Sequence, residues 1–349
     1  MDRIDRRTLL RYGSLALGAA WALRPGVTPG QMDPEQSAAE MLTPGALAAI
    51  ERGLRFLAAR QHPDGAFGSG GYPRNAAITS LAAMALMASG STPLRGPYGV
   101  QVDRALGFIL RHVQDDGFIT VAGSASHGPM YGHGFATLFL AECYGMTYRE
   151  DIRPKLRKAV DLIIQTQNDE GGWRYQPQPR DADLSVTVCQ VMALRAARNA
   201  GLHVPNQTID RAVDYVKQCQ NPDGGFSYML RARQSMFPRS AAGLVALFSA
   251  GIYEGPEISK GLDYLMRFLP RGQFRRETHY FYGHYYAVQA MWHAGGQYWR
   301  RWYPAIRDEL LMHQDRSGSW IDPYSREYGT AMALIILQMP NNYLPIFQR

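Results

Sequence analysis

The sequence predicts an all-α protein, an α/α toroid in which six helical hairpins close into a ring. A Gln-Asp-Gly-aromatic string recurs at intervals of 53 residues through its first four copies, and a fifth copy begins at residue 314. Amphipathic stretches alternate along the chain with more uniformly apolar ones, and strand patterns are nearly absent. Recurrence at a fixed period of this length indicates helical units that bury their apolar faces against their neighbours.

The first half of each hairpin is an amphipathic stretch that ends at the Gln of the repeated string. In two of these stretches, apolar residues recur three and four positions apart: AIERGLRFLAARQ and IDRAVDYVKQCQ. This is the pattern of a helix with one buried face. The five strings that follow such stretches are QHPDGAF, QDDGF, QNDEGGW, QNPDGGF and QDRSGSW. Their central glycines supply the positive φ that a tight turn needs.

The second half of each hairpin is apolar around its whole circumference. Four of these runs are AAITSLAAMALMASG, GFATLFLAECYG, SVTVCQVMALRAARNAG and SAAGLVALFSAG. They end at Gly90, Gly145, Gly201 and Gly251, where a left-handed residue typically caps a helix. Helices that are covered on all sides belong to an inner layer, and helices with one buried face belong to an outer layer. Two concentric rings satisfy both patterns.

The fifth hairpin departs from the repeat. GLDYLMRFLPRGQF aligns with the outer helix and turn of the fourth unit but lacks the Gln, and YGHYYAVQAMWHAGG supplies its inner helix. YGTAMALIILQ is the last inner helix, which brings the number of predicted hairpins to six. Whether the C-terminal QMPNNYLPIFQR closes the ring or meets a partner stays open at this stage.

The composition fits a large globular protein and argues against nucleic acid as a partner. The 349 residues are 46% hydrophobic and 19% charged, with a formal net charge of +7. The positive charge is scattered, and no basic helix, zinc spacing or aromatic RNA-binding motif accompanies it. The three cysteines, Cys143, Cys189 and Cys219, match neither a disulfide framework nor a metal motif. We therefore predict buried thiols and no cofactor.

The N-terminus differs in kind from the rest of the chain. DRRTLLRYGSLALGAAWAL has a basic start with the Arg6-Arg7 pair and an apolar stretch too short to span a bilayer. It resembles a twin-arginine export signal, and a frayed basic helix is the alternative. We predict a signal at residues 1–22, a linker at 23–44 and one toroid domain at 45–349. The expected location is the periplasm or cell envelope, with no transmembrane segment in the mature protein.

The repeated turns carry a resemblance to a known superfamily. They are similar to the glutamine-tryptophan repeats of squalene-hopene cyclases and of the β-subunits of protein prenyltransferases, over roughly residues 45–340. In that superfamily the turns are structural, because the Gln side chain ties the end of an outer helix to neighbouring backbone and the aromatic ring stacks on it. The resemblance implies the Gln role for Gln61, Gln114, Gln167, Gln220 and Gln314. It implies the stacking role for Phe67, Phe118, Trp173, Phe226 and Trp320.

The resemblance also implies a place to look for a catalytic acid. Class II terpene cyclases carry Asp-x-Asp-Asp-Thr at the start of an inner helix, and the middle Asp donates a proton to an alkene. Here RDADLSVT fits that motif in two registers. Counted from Asp181, the donor is Asp183. Counted back from Thr187, Asp183 takes the first position, Ser185 takes the donor position and Asp183 caps the helix. The second register preserves the direction in which each side chain points.

The zinc site of the protein prenyltransferases is not matched. Their Asp-Gly-Cys-Tyr segment falls on Tyr282-Gly283-His284-Tyr285, and their His ligand falls on Gly329. His284 alone could bind a metal, and one ligand does not make a zinc site. We predict no metal.

The starts of the six inner helices provide a different candidate site, because all six face one opening of the ring. Repeat one matches repeat four (YPRNA and FPRSA), and repeat two matches repeat five (YGHGF and YGHYY). Partners three repeats apart lie opposite each other in a six-membered ring. We therefore expect a rim that binds an anionic ligand through Arg74, Arg239, Tyr131, Tyr282 and Tyr328, with His133, His284 and Asp183 as catalytic candidates. The alternative is that these residues only pack the helix starts.

Three functions remain open from the sequence. The first is a terpene-cyclase-like or prenyltransferase-like toroid that binds an isoprenoid or another apolar ligand with an anionic head, without the usual acid and zinc ligands. The second is a non-catalytic toroid that binds a ligand or partner at its rim. The third is a polysaccharide lyase that uses His133, Tyr131 and Arg74, or His284, Tyr282 and Arg239. A small or lipid-like molecule is the expected partner in the first function.

Overall fold

The computed structural model describes residues 40–124, 128–272 and 279–348. Within these ranges the chain forms twelve α-helices and no strand. The predicted export signal at residues 1–22 and most of the predicted linker lie outside the described residues, so export stays a prediction. Among the described helices, none has the length and apolarity required to cross a membrane.

The helices alternate between two kinds along the chain. Those that bury one face are α1 (Pro44–Arg60), α3 (Gly99–Arg111), α5 (Ile152–Gln165), α7 (Asn206–Gln218), α9 (Pro256–Met266) and α11 (Gly296–His313). Those that are buried almost throughout are α2 (Ala76–Met87), α4 (Pro129–Cys143), α6 (Leu184–Asn199), α8 (Phe237–Ser249), α10 (Tyr280–Ala294) and α12 (Arg326–Leu337).

The buried helices form a closed inner ring. Each packs against the next, from α2 through α12, and α12 packs in turn against α2. The other six helices lie outside this ring, and α11 contacts α1 across the point of closure. The predicted α/α toroid of six hairpins is confirmed.

The C-terminal segment covers the end of the ring where the inner helices finish. Gln338 donates to the carbonyl oxygen of Ala85 on α2 at 3.0 Å. The Arg195 guanidinium on α6 donates to Gln348 O at 2.7 Å, and the Trp292 indole on α10 donates to Phe347 O at 3.2 Å. The segment therefore covers this end of the toroid.

Four of the turn glutamines join their hairpin to the next one. Nε2 of Gln167 donates to Gly171 O at 2.8 Å within its own turn and to Thr208 O at 2.9 Å in the following outer helix. Gln61 and Gln220 make the same pair of bonds. Gln314 donates to Gly318 O at 2.9 Å and to Ala49 O at 2.8 Å, which connects the last hairpin to the first.

Close backbone approach explains the glycine in these turns. Gly171 has φ of 96°, and a Cβ there would lie 2.2 Å from the carbonyl oxygen of Arg211 on the next outer helix. Gly318 has φ of 88°, and its Cβ would lie 2.7 Å from Arg52 O across the closure. Any side chain would push the neighbouring outer helix away and break the Gln bonds.

A carboxylate supports the fifth turn, where the sequence lacks the Gln. Glu309, buried on α11, accepts a bond from Gly272 N at 2.6 Å and another from the Tyr280 hydroxyl at 2.8 Å. The following outer helix thus contacts the fifth turn through its own side chain.

We predict that Gln314→Ala destabilises the ring more than replacement of an exposed Gln does. The change leaves the Ala49 and Gly318 carbonyls without these donors, which costs roughly 1–3 kcal/mol of unfolding free energy. Urea denaturation of the purified protein measures this loss of unfolding free energy. Gln297→Ala, at the exposed start of α11, is the control. Equal stability of the two variants would show that the closing bonds are dispensable.

Candidate functional site

A cavity of about 680 Å³ opens where the inner helices begin, at the end opposite the C-terminal segment. Side chains from all six inner helices or the loops before them reach it. Three of its tyrosines come from inner helices, and four come from those loops, Tyr72, Tyr175, Tyr228 and Tyr324.

In five of the six hairpins, one hydrogen bond sets the rotation of the inner helix about its axis. In five hairpins a backbone N–H of the turn donates to a side chain in the first turns of the inner helix, at 2.8–3.1 Å. The donors are Phe67, Ile119, Trp173, Phe226 and Trp320, and the acceptors, called here the anchor residues, are Thr79, His133, Thr187, Ser240 and Thr330. An anchor side chain faces outward to the turn.

The residue two positions before each anchor residue lines the cavity. On the five helices with an anchor these are Ala77, Tyr131, Ser185, Pro238 and Tyr328. On α10, Tyr282 lines the cavity two positions before His284. The sequence-predicted tyrosines Tyr131, Tyr282 and Tyr328 are therefore brought together, and the Tyr282 hydroxyl donates across the cavity to Ser185 O at 3.0 Å.

Asp183 caps α6 and does not line the cavity. Its side chain is fully buried, and Oδ1 accepts a bond from Val186 N at 2.9 Å. Burial raises the pKa of this carboxyl to about 6, although the Val186 bond favours the charged form. Ser185 occupies the cavity position of α6. The register counted back from Thr187 therefore describes the geometry.

The expectation that His133 and His284 face each other across the opening is wrong. His133 is fully buried; its Nδ1 accepts from Ile119 N at 3.1 Å, so Nε2 carries the proton and donates to Ala159 O at 3.1 Å. Burial lowers the pKa of His133 to about 4. His284 is buried among aromatic rings, with centroids 4.4 Å from Tyr280 and 4.9 Å from Phe237. Both imidazoles occupy the outward register, so neither lines the cavity.

The expected pair of opposed arginines is also corrected. Nε of Arg74 lies 2.9 Å from Oδ2 of Asp64, and both side chains are exposed to solvent outside the cavity. Arg239 does line the cavity, over the Tyr228 ring at 6.0 Å. Neither His133 nor Arg74 accompanies Tyr131 in the cavity, and His284 does not accompany Tyr282 and Arg239. The structure does not assemble the lyase trios.

Arg174 is the second arginine of the cavity, and sequence reasoning missed it. It directly follows Trp173, where the chain leaves the turn towards the start of α6, so the repeat itself places it at the opening. Arg174 pairs with Asp181 and lies over the Tyr175 ring at 5.2 Å.

In both Arg174 and Arg239, Nε is buried and has no hydrogen-bond partner. Nε of Arg174 lies 3.9 Å from Oδ2 of the buried Asp183, so this arginine is ion-paired with Asp183 as well as with Asp181. The Nε–H of Arg239 has no carboxylate partner of this kind and can bind an acceptor that enters the opening.

The cavity changes from polar at its opening to apolar inside. Tyr175 and Tyr228 share a hydrogen bond of 2.5 Å between their hydroxyls near the arginines. One helical turn further in, Leu81 on α2 and Phe135 on α4 line the wall. Burial raises the pKa values of Tyr131, Tyr282 and Tyr328 well above 10, so these phenols are neutral.

The cysteines and the potential metal ligands form no further site in the described part of the chain. All three cysteines are buried and free of disulfides. In the part of the chain that the structure describes, no three His, Cys, Asp or Glu side chains are grouped so as to hold a metal ion.

Comparisons with known proteins agree with the fold. The squalene-hopene cyclase C-terminal domain family matches residues 139–283. A drimenyl diphosphate synthase from Streptantibioticus cattleyicolor is 28% identical over 226 residues, which cover 59% of this chain and 38% of the relative. The chain thus spans less than two fifths of the length of the curated relatives it matches.

Solved structures extend this likeness over most of the chain. The type II terpene cyclase MstE from Scytonema, in complex with geranylgeranyl dihydroxybenzoate, has a TM-score of 0.57 at 14% identity, covering 88% of this chain and 99% of that one. Cellobiose 2-epimerase from Spirochaeta thermophila has a TM-score of 0.66 at 14% identity, covering 88% and 97%. The chain is a terpene-cyclase-like α/α toroid.

We predict that His133 makes the stability of the protein pH-dependent between pH 6.5 and 4. An unfolded His takes up a proton near pH 6.5, whereas the folded His133 does so near pH 4. Its contribution is therefore complete above pH 6.5 and falls by about 3 kcal/mol as the pH drops to 4.

Urea denaturation of His133→Asn across this range tests the prediction. Asn keeps an acceptor for the Ile119 N–H but does not titrate, so the variant should lose less stability on acidification than the wild type. His203→Asn on the surface is the control. A wild-type pH dependence in His133→Asn would contradict the assignment.

Proposed function

We propose that this toroid binds an isoprenoid with an anionic head group, the head between Arg174 and Arg239 and the tail in the cavity. The observation that carries the proposal is the pair of arginines at the opening of a cavity whose wall is aromatic and aliphatic, each with a buried Nε–H that makes no hydrogen bond. An elongated ligand with one negatively charged end fits a cavity that has arginines at its opening and an apolar wall inside.

The electrostatics of the opening favour an anion. Among the described residues that line the cavity, the side chains with a full charge are Arg174 and Arg239, and neither Asp nor Glu is present. Asp181 and Asp183, outside the lining, pair with Arg174. The uncompensated positive charge at the opening is therefore that of Arg239. All six inner helices begin at this end, and helix N-termini attract negative charge. Guanidinium groups bind diphosphate or carboxylate oxygens through two parallel bonds, which supports either group as the head.

The inner wall suits an isoprenoid chain. Leu81, Ile78 and Phe135 supply apolar surface, and the rings of Tyr131, Tyr282 and Tyr328 add broad faces whose hydroxyls are neutral. Burial of apolar ligand surface contributes about 25 cal/mol per Å² before the costs of association. The volume lies within the range of about 300–1,000 Å³ typical of small-molecule sites.

The relatives support this ligand class. The curated relatives are drimenyl diphosphate synthases, and a structural neighbour is named for its complex with geranylgeranyl dihydroxybenzoate. Both names contain a terpenoid unit joined to an ionisable group. The proposal transfers that chemistry to the two arginines of this cavity.

We further propose that binding occurs without cyclisation started by a carboxylic acid. In the terpene cyclases that the repeats resemble, the donor acid stands at the position that Ser185 holds here, and a serine hydroxyl is far too weak an acid to protonate an alkene. Asp183 is engaged as the cap of α6 and lies outside the cavity lining.

We predict that Arg239→Ala weakens binding of farnesyl diphosphate about 10- to 100-fold, because a charge-assisted bidentate contact is lost. Arg239→Lys retains the charge without the planar guanidinium, so its affinity should lie between those of the wild type and Arg239→Ala. Titration calorimetry measures the affinities. Arg74→Ala, which removes an exposed arginine outside the cavity, is the matched control and should bind as the wild type does. Unchanged affinity in Arg239→Ala would refute the assigned head-group site.

The absence of acid-started cyclisation has its own test. Farnesyl diphosphate incubated with the protein in D₂O should be recovered as the linear compound without deuterium on carbon, because no cavity acid delivers a proton to the alkene. Mass spectrometry of the extracted ligand gives the answer. A cyclic product that carries deuterium would contradict this part of the proposal and would assign a donor among the residues of the toroid.

A further inference from the structure

Gly132 lines the cavity, and its lack of a side chain needs an explanation. It belongs to a Tyr-Gly pair that occurs at three inner helix starts, with Gly283 and Gly329 as the equivalents. At Gly283 a Cβ would lie 2.7 Å from a ring carbon of Phe237, and at Gly329 it would lie 2.7 Å from Trp320 O. Packing therefore excludes a side chain at these two positions.

Packing does not exclude a side chain at Gly132. The nearest atoms to a Cβ there would be Ala76 Cβ at 3.6 Å and Ala77 N at 3.8 Å, which are ordinary van der Waals distances. The other glycine of the cavity lining, Gly128, is explained by packing, since its Cβ would lie 2.5 Å from the Tyr175 ring.

The backbone gives no reason for this glycine either. Gly132 lies inside α4 and is not among the glycines with positive φ. Glycine in a helix interior is destabilising relative to alanine. A position where Ala would fit and would stabilise the helix, yet which carries Gly, is one where the space itself has a use.

We propose that Gly132 determines the size of the tail that the cavity accepts, an inference that rests on the proposed isoprenoid function. Gly132 lies on the cavity wall beside Ala77 of α2. About one helical turn before Gly132 the wall is formed by Gly128, and about one turn after it by Phe135. Because Ala76 and Ala77 limit the space towards α2, a side chain at position 132 takes up room at the cavity wall, a methyl group a little and a larger side chain much more. It occupies volume that a longer or bulkier isoprenoid needs.

The test compares geranyl, farnesyl and geranylgeranyl diphosphates with the wild type, Gly132→Ala and Gly132→Leu in equilibrium binding. The longest ligand that the wild type binds should lose affinity most, about tenfold with Ala and beyond detection with Leu. Geranyl diphosphate should lose the least. Gly132→Ala should also raise Tm by roughly 2 °C, because the helix gains alanine without a clash.

Gly107→Ala on the outer helix α3 is the matched control, since its Cβ would lie 3.4 Å or more from other atoms and Gly107 does not line the cavity. It should raise Tm similarly and leave every affinity unchanged. If the Gly132 variants lost affinity equally for all three ligands, or lost no affinity for any of them, the inference would be overturned while the proposed function stayed intact. A lower Tm in Gly132→Ala would show a packing role and overturn it as well. Failure of the wild type to bind any of the ligands would refute the proposed function, and the inference with it.

Discussion

The paired hydrogen bonds of the turn glutamines are the interaction on which the rest of the structure depends. The side chains of Gln61, Gln167 and Gln220 each bind a carbonyl of their own turn and a carbonyl of the next outer helix, and Gln314 makes the same contact between the last hairpin and the first. The turn that is fixed in this way presents one backbone N–H to the inner helix. The side chain that accepts this N–H faces outward to the turn, and the residue two positions earlier on the same inner helix faces the cavity.

Much of the fold could be predicted from the sequence because its determinants are local and repeated. Apolar periodicity separated outer helices from inner ones, and the Gln-to-aromatic strings placed five of the six turns. The register of α6 could also be predicted, since Thr187 is one of the anchor residues and Asp183 stands at the helix start. The fifth turn was harder to place, because its support comes from Glu309 on the next helix rather than from the turn itself.

The rim was predicted only in part, for a geometrical reason. Matching residues in repeats two and five share a register, but sequence does not show whether that register faces the cavity or the turn. Tyr131 and Tyr282 face inward, whereas His133, two positions later, is the anchor of its turn. A comparison of His133 with Thr79, Thr187, Ser240 and Thr330 in all repeats would have revealed this. Arg74 and Arg239 share a motif, yet Arg74 pairs with Asp64 on the surface. The cavity volume depends on how six helices pack, which no local pattern encodes.

The fold alone does not choose a function, because the backbone of this toroid resembles both a terpene cyclase and a sugar epimerase, and the epimerase has the higher TM-score. The chemistry of the opening is what supports our proposal: two arginines stand above an aromatic wall, and a serine stands where the resemblance implies an acid. A crystal structure of the protein with a prenyl diphosphate is the most direct measurement. We expect diphosphate density within hydrogen-bond distance of Arg174 and Arg239 and the tail against Tyr131 and Tyr282. Density for the ligand elsewhere, or with the tail at the arginines, would contradict the assignment.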